Sequence, residues 1–113
     1  MLADHLRRSR GVAVAPDDLL VVPGVGASLR ALPVALGLVG STVALEDPGY
    51  VEAWTAFEAE GARVAAVSVD GDGLDPAHLP RSARAVYVTP SHQYPLGARK
   101  PVTRRAQLQD RAR

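Results

Sequence analysis

Short apolar runs that alternate with stretches of helical spacing predict an α/β fold, a mainly parallel sheet with flanking helices. Leu19–Val22, Thr42–Leu45, Arg63–Val69 and Ala83–Val88 are runs of strand length, rich in Val, Leu and Ala. Segments with apolar residues three or four apart lie between the first three, and Gly or Pro stands at most of the junctions. Such alternation is the pattern of βαβ units, not of a sandwich or a helical bundle.

Taken in order, Leu2–Arg10 reads as a short basic helix ended by Gly11. After the Pro16-Asp17-Asp18 turn, Leu19–Val22 is expected as a buried strand closed by Pro23 and Gly24. Leu29, Leu32, Leu36 and Val39 then recur at helical spacing, so Ala27–Val39 is expected as a helix, with Pro33 in its first turns or kinking it and Gly40 ending it. Thr42–Leu45 is a second strand. Val51–Glu60 follows as a helix burying Trp54 and Phe57, with Gly61 as its cap. Arg63–Val69 is a third strand and Asp70–Gly73 a turn, after which Asp75–Leu79 forms about one helical turn. Ala83–Val88 is a fourth strand, Thr89–Gly97 a loop, and Thr103 the expected N-cap of a last helix that is still running at the end of the chain.

At 113 residues and 47% hydrophobic content the chain suffices for one domain over 1–113. Thirteen Lys and Arg against twelve Asp and Glu, a net charge of +1, create no field that argues for nucleic acid or a membrane surface as main partner. The absence of cysteine excludes disulfides, zinc-thiolate sites and a thiol nucleophile, and agrees with a cytoplasmic chain. Neither a signal peptide nor a membrane span is expected: no apolar region follows Met1–Arg10, and the longest apolar stretch, Leu29–Leu45, is interrupted by Arg30, Pro33, Gly37 and Gly40.

Ligands of open parallel sheets bind at the carboxyl ends of strands, which selects three loops. Pro23-Gly24-Val25-Gly26-Ala27 joins strand to helix and could turn backbone N–H groups toward a phosphate, although a plain turn explains the same glycines. Glu46-Asp47-Pro48-Gly49-Tyr50 sets an aromatic ring just past a strand end, where it could lie on a flat ligand or simply pack. Thr89–Gly97 gathers hydroxyl, imidazole and amide groups behind a buried strand and is the most specific of the three. His5, His78 and His92 lack partners at metal-ligand spacing, and Asp70 with Asp72 lacks the glutamate of a calcium loop. Ser91-His92 are chain neighbours, which does not make a nucleophile and its base. Arg104-Arg105 read as a solvated helix face.

In this order and spacing the loops resemble the aminotransferase-like domain of MocR-type (GntR-family) transcriptional regulators, within the fold-type-I pyridoxal-phosphate-dependent aminotransferase class I/II superfamily. The matching stretches are Arg10-Gly11-Val12 with Pro16-Asp17, Val21 to Gly24, Val43 to Tyr50, Gly61-Ala62-Arg63, Val69-Asp70 with Asp72-Gly73-Leu74, and Val86 to Gly97. Glu-Asp-Pro-Gly-Tyr followed by Thr-Pro-Ser-His-Gln-Tyr-Pro is the specific part. The resemblance implies an incomplete large domain, about the first third of the aminotransferase-like part, with no DNA-binding domain and hence no direct nucleic-acid contact.

By the same resemblance the cofactor is pyridoxal 5'-phosphate. Gly24, Val25 and Gly26 occupy the phosphate-contacting turn, and Tyr50 the position whose ring stacks on the pyridine. Gln93 and Tyr94 fall where ordinary aminotransferases carry an asparagine bonded to the cofactor's 3-hydroxyl. Pro23 and Val25 depart from the hydroxyl residues frequent there, a loss of hydrogen bonds that contribute about 1.5–3 kcal/mol each. The family's pyridine-pairing aspartate, Schiff-base lysine and carboxylate-holding arginine come later than this chain's end, so no catalytic residue is expected. Lys100, the only lysine, is expected as a solvated loop residue. The implied parent is dimeric and takes an amino-acid-type ligand, and Leu19–Val22 would lack its sheet neighbour. Two other readings stand beside this one: an effector-sensing piece of a regulator acting through a partner chain, and an unrelated nucleotide-binding α/β module using the Gly24 turn.

Overall fold

The computed structural model describes residues 1–113. Its elements are α1 (Leu2–Arg10), a 3-10 turn at Pro16–Asp18, α2 (Val25–Ala35), β1 (Thr42–Asp47), α3 (Val51–Ala59), β2 (Arg63–Asp70), β3 (Gly73–Leu74), a 3-10 turn at Pro76–His78, β4 (Ala83–Tyr87) and α4 (Val102–Arg111). The sheet order is β3-β2-β1-β4, with β1 parallel to both β2 and β4 and β3 antiparallel to β2. The expected α/β class and mainly parallel sheet are therefore observed.

β1 is the central strand, and its residues alternate between two cores. Val43 and Leu45 join Leu29, Leu38, Ala53, Phe57 and Ala62 in a cluster under α2 and α3. Ala44 joins Val67, Leu74 and Leu79 on the other face, where Leu108 of α4 packs against them. A strand covered on both faces reads as a continuous apolar run, which is why Val-Ala-Leu needs no polar alternation. Glu46 shares the parity of Ala44 and is buried at the end of this strand.

The structure corrects several sequence expectations. Leu19–Val22 forms no strand: no neighbour pairs with it, and Leu20 and Val21 are 85% and 78% exposed. A strand exists through its ladder partners, and apolar character alone does not supply them. α2 begins at Val25 instead of Ala27, because Gly24 adopts φ 92° at the N-cap and lets the chain turn directly into the helix. It ends at Ala35 instead of Val39, since Gly37 takes a left-handed φ of 64° one turn earlier than Gly40. α4 starts at Val102 with Pro101 as its N-cap, so Thr103 lies inside the helix, which ends at Arg111.

Lys100 is not solvated. It is 3% exposed, its Nζ donates to the Leu74 carbonyl at 2.7 Å, and burial lowers its pKa. Arg104 is likewise no free surface cation: it makes a two-pronged pair with Asp70 at 2.6 and 2.8 Å and donates to the Gly73 carbonyl, tying α4 to the β2–β3 hairpin. That bond to Arg104 first, and the Asp72 N–H second, hold the Asp70 carboxyl down at about 2.

Candidate functional site

Three connections converge at one end of the sheet. β1 runs into Glu46-Asp47-Pro48-Gly49-Tyr50, β4 into Thr89–Gly97, and α2 opens from the Gly24 turn. The first connection is tight at Gly49, where a Cβ would collide with the Glu46 carbonyl, so only glycine fits. The Asp47–Pro48 and Tyr94–Pro95 peptides are both cis.

The second connection closes on itself. Gln93 N–H donates to the Ala98 carbonyl and Lys100 N–H to the Pro90 carbonyl, both at 2.8 Å. The Gln93 side chain, only 2% exposed, is the hub: Nε2 donates to the Pro48 and Tyr94 carbonyls at 2.7 Å each and reaches Glu46 Oε2 at 3.4 Å. Its Oε1 accepts from the Leu96 N–H at 3.1 Å. An amide nitrogen has two hydrogens for these three acceptors, so the 3.4 Å contact is the weakest. Thr89 donates to the same Glu46 Oε2 through its hydroxyl at 2.8 Å and its N–H at 3.3 Å.

The hub sets the two residues the sequence left open in different surroundings. The Gln93 amide is fully engaged inside the loop, whereas Tyr94 is 54% exposed at the surface of the cleft. Its ring meets the half-buried Tyr50 edge-on, with centroids 5.7 Å apart and planes at 85°. The Glu52 carboxylate beside Tyr50 raises the pKa of its hydroxyl, with partial burial adding to the effect. A cleft of about 510 Å³ lies here, with Gly26, Arg30, Tyr50, Thr55 and Tyr94 in its walls. A second hollow, about 360 Å³, shares both tyrosines and includes Trp54. Thus Gly26, Tyr50 and Tyr94 come together across a chain separation that the sequence could not show.

The turn side of the cleft is bare. Gly24 caps α2 without any side-chain hydrogen bond, and space around it is open. The first N–H groups of α2 therefore have no helical or capping acceptor. The Arg30 guanidinium lies 3.5 Å from where a Cβ of Gly26 would stand. Residues that sequence reading did not single out are Glu46 and Thr89, which organise the loop, and Arg30, which adds a cation beside Gly26. An acidic residue at the end of a buried apolar run was the available signal for Glu46.

These residues suit a flat anionic ligand such as pyridoxal phosphate in two respects and not in a third. Two tyrosines offer a ring surface, and an uncapped helix start with a nearby guanidinium offers donors for a phosphate. No amine faces the cleft, because Lys100 is sealed against Leu74.

The chain is similar to known proteins over most of its length. It is 36% identical over 107 residues, 95% of its length, to the pyridoxine biosynthesis transcriptional regulator PdxR of Corynebacterium glutamicum, and covers 23% of that protein. It is 40% identical over 98 residues to the probable rhizopine catabolism regulatory protein MocR of Rhizobium meliloti, covering 85% of this chain and 20% of that one. Among solved structures, an archaeal alanine:glyoxylate aminotransferase superposes with a TM-score of 0.86 and 28% identity, over 96% of this chain and 29% of the enzyme. No family model matches the chain. The chain thus resembles a segment of the aminotransferase-like domain of MocR-type regulators and spans about a fifth to a quarter of the curated relatives it matches. No helix is long and apolar enough to cross a membrane.

Proposed function

We propose that this chain, on its resemblance to the aminotransferase-like domain of MocR-type regulators, forms one wall of a pyridoxal-phosphate site that serves effector sensing and carries out no transamination by itself. The observation that carries the reading is the meeting of Gly26, Arg30, Tyr50 and Tyr94 around a single cleft. When bound, pyridoxal phosphate supplies an aldehyde and an electron-withdrawing ring. The chain's own residues do the holding. The α2 N-terminus and Arg30 would hold the phosphate, Tyr50 would support the ring, and Tyr94, whose hydroxyl is free of the Gln93 network, would be the partner for the ring's 3-hydroxyl. An amino-acid-type ligand, a dimeric assembly and a cytoplasmic location belong to the same proposal, suggested by the resemblance and the cysteine-free sequence.

Trp54, the only tryptophan, lines the adjoining hollow that shares Tyr50 and Tyr94 with this cleft and so serves as its reporter. Titrating the chain with pyridoxal phosphate is expected to quench Trp54 fluorescence saturably and reversibly. Borohydride treatment is expected to leave Lys100 unmodified by mass spectrometry. Absence of a saturable quench at millimolar ligand would remove the reading, and rapid reductive labelling of Lys100 would overturn the non-covalent part of it.

A further inference from the structure

Glu46, one residue before the end of β1, is 4% exposed, and none of the chain's ion pairs includes it. Its Oε1 has no hydrogen-bond partner, while Oε2 gathers the hydroxyl and N–H of Thr89 and the distal amide of Gln93. Burying a carboxylate outside any direct ion pair, with only the Lys100 ammonium acting on it through space, opposes folding, so the group's presence calls for a role that its charge performs. What its partners do is specific. The Thr89 hydroxyl that donates to Glu46 accepts the Tyr94 N–H at 3.1 Å, and the Gln93 amide donates to the Tyr94 carbonyl at 2.7 Å. Both backbone polar groups of Tyr94 are therefore held, the N–H by the Thr89 hydroxyl that donates to Glu46 and the carbonyl by the Gln93 amide, and the Tyr94 ring lies edge-on to Tyr50.

We propose that Glu46 is the positioning residue of this cleft: its charge, relayed through the Thr89 hydroxyl, fixes Tyr94 against Tyr50 and so shapes the slot for a flat ring. The assignment rests on the pyridoxal-phosphate reading for the identity of the ligand but not for the relay itself. A charged acceptor binds its donors roughly twice as strongly as a neutral one. Glu46→Gln keeps an oxygen of similar reach for Thr89, removes the charge and puts an amide NH2 in place of the unpartnered Oε1. Thr89→Val removes the relay and leaves the charge.

The test compares the full chain with Glu46→Gln, Thr89→Val and the double variant. Two readouts are used, the near-ultraviolet tyrosine circular dichroism band defined by its loss in Tyr94→Ala, and quenching of Trp54 by pyridoxal phosphate. Each single variant is expected to lose most of that band and to bind the ligand about tenfold more weakly while unfolding cooperatively, with the double variant no worse than either single one. A native band and native affinity in Glu46→Gln would overturn the assignment, as would additive losses in the double variant. If Glu46→Gln does not fold, Thr89→Val decides alone, and an unchanged band there overturns it. If the native chain shows no quench, the ligand reading fails, and the tyrosine band, which needs no ligand, still settles the role of Glu46.

Discussion

At the ring side of the cleft nearly every polar group is engaged within the protein, whereas at the turn side, Pro23 to Gly26, the helix start has no side-chain cap and open space around Gly24. One side is pre-organised by Glu46, Thr89 and Gln93. The other is left for something else to complete. Stability and ligand affinity should therefore separate along this line: changes at the ring side should cost folding energy, and changes at the turn side should alter binding and little else.

The sharpest way to break the comparison is Gln93→Ala. It strips the Pro48 and Tyr94 carbonyls and the Leu96 N–H of a buried partner, and a destabilisation of about 3 kcal/mol is expected from urea unfolding midpoints. Gly49→Ala comes next, at about 2 kcal/mol by the same measurement, because its new methyl group meets the Glu46 backbone and not a yielding side chain. If both variants unfold like the native chain, the ring side is not pre-organised. Val25→Ser probes the other side. It is expected to change stability by less than about 0.5 kcal/mol, yet to tighten pyridoxal-phosphate binding about tenfold by restoring a hydroxyl at the first turn of α2, as read by Trp54 quenching.

The smallest effect belongs to the β2–β3 hairpin, where Arg104 of α4 docks. Asp70, held down at about 2 by Arg104, has a folded pKa below its unfolded one, so its contribution is present above the ordinary carboxylate range. It is lost as pH falls from about 4 toward 2. Thermal unfolding followed over that window should show a modest loss that Asp70→Asn abolishes. The pair is partly exposed and screened, so the effect should also shrink with added salt.

Most of the scaffold was legible because its elements are fixed by local pattern. β1, β2, β4 and α3 fall where apolar run length and i, i+3 spacing put them, within a residue or two. Leu19–Val22 misled because a parallel strand is defined by partners that local pattern does not encode. Lys100 misled for a related reason: nothing near it in sequence reveals that its acceptor is the Leu74 carbonyl, 26 positions earlier. At the site, Gly26, Tyr50 and Tyr94 were legible as motif residues, and their convergence is observed. The division of labour between Gln93 and Tyr94 was not legible, since it depends on which side chain turns inward. Glu46 stood within a recognised motif but gave no sign that it reaches across to β4's loop.

The span of that reach has a consequence for how the molecule assembles. The bonds from Thr89 and Gln93 to Glu46 and Pro48 join positions 43 to 47 residues apart, while β1 meets β2 across a single helix. Closing the longer loop forfeits more chain entropy before any contact rewards it, so the β1–α3–β2 unit is expected to order first on refolding and the ligand loop last. The same segment should open before β1 does in the native state. Amide hydrogen exchange would show this as faster exchange at Tyr94 and Leu96 than at Val43 to Leu45, making the Thr89–Gly97 loop more transient than the strand it leans on.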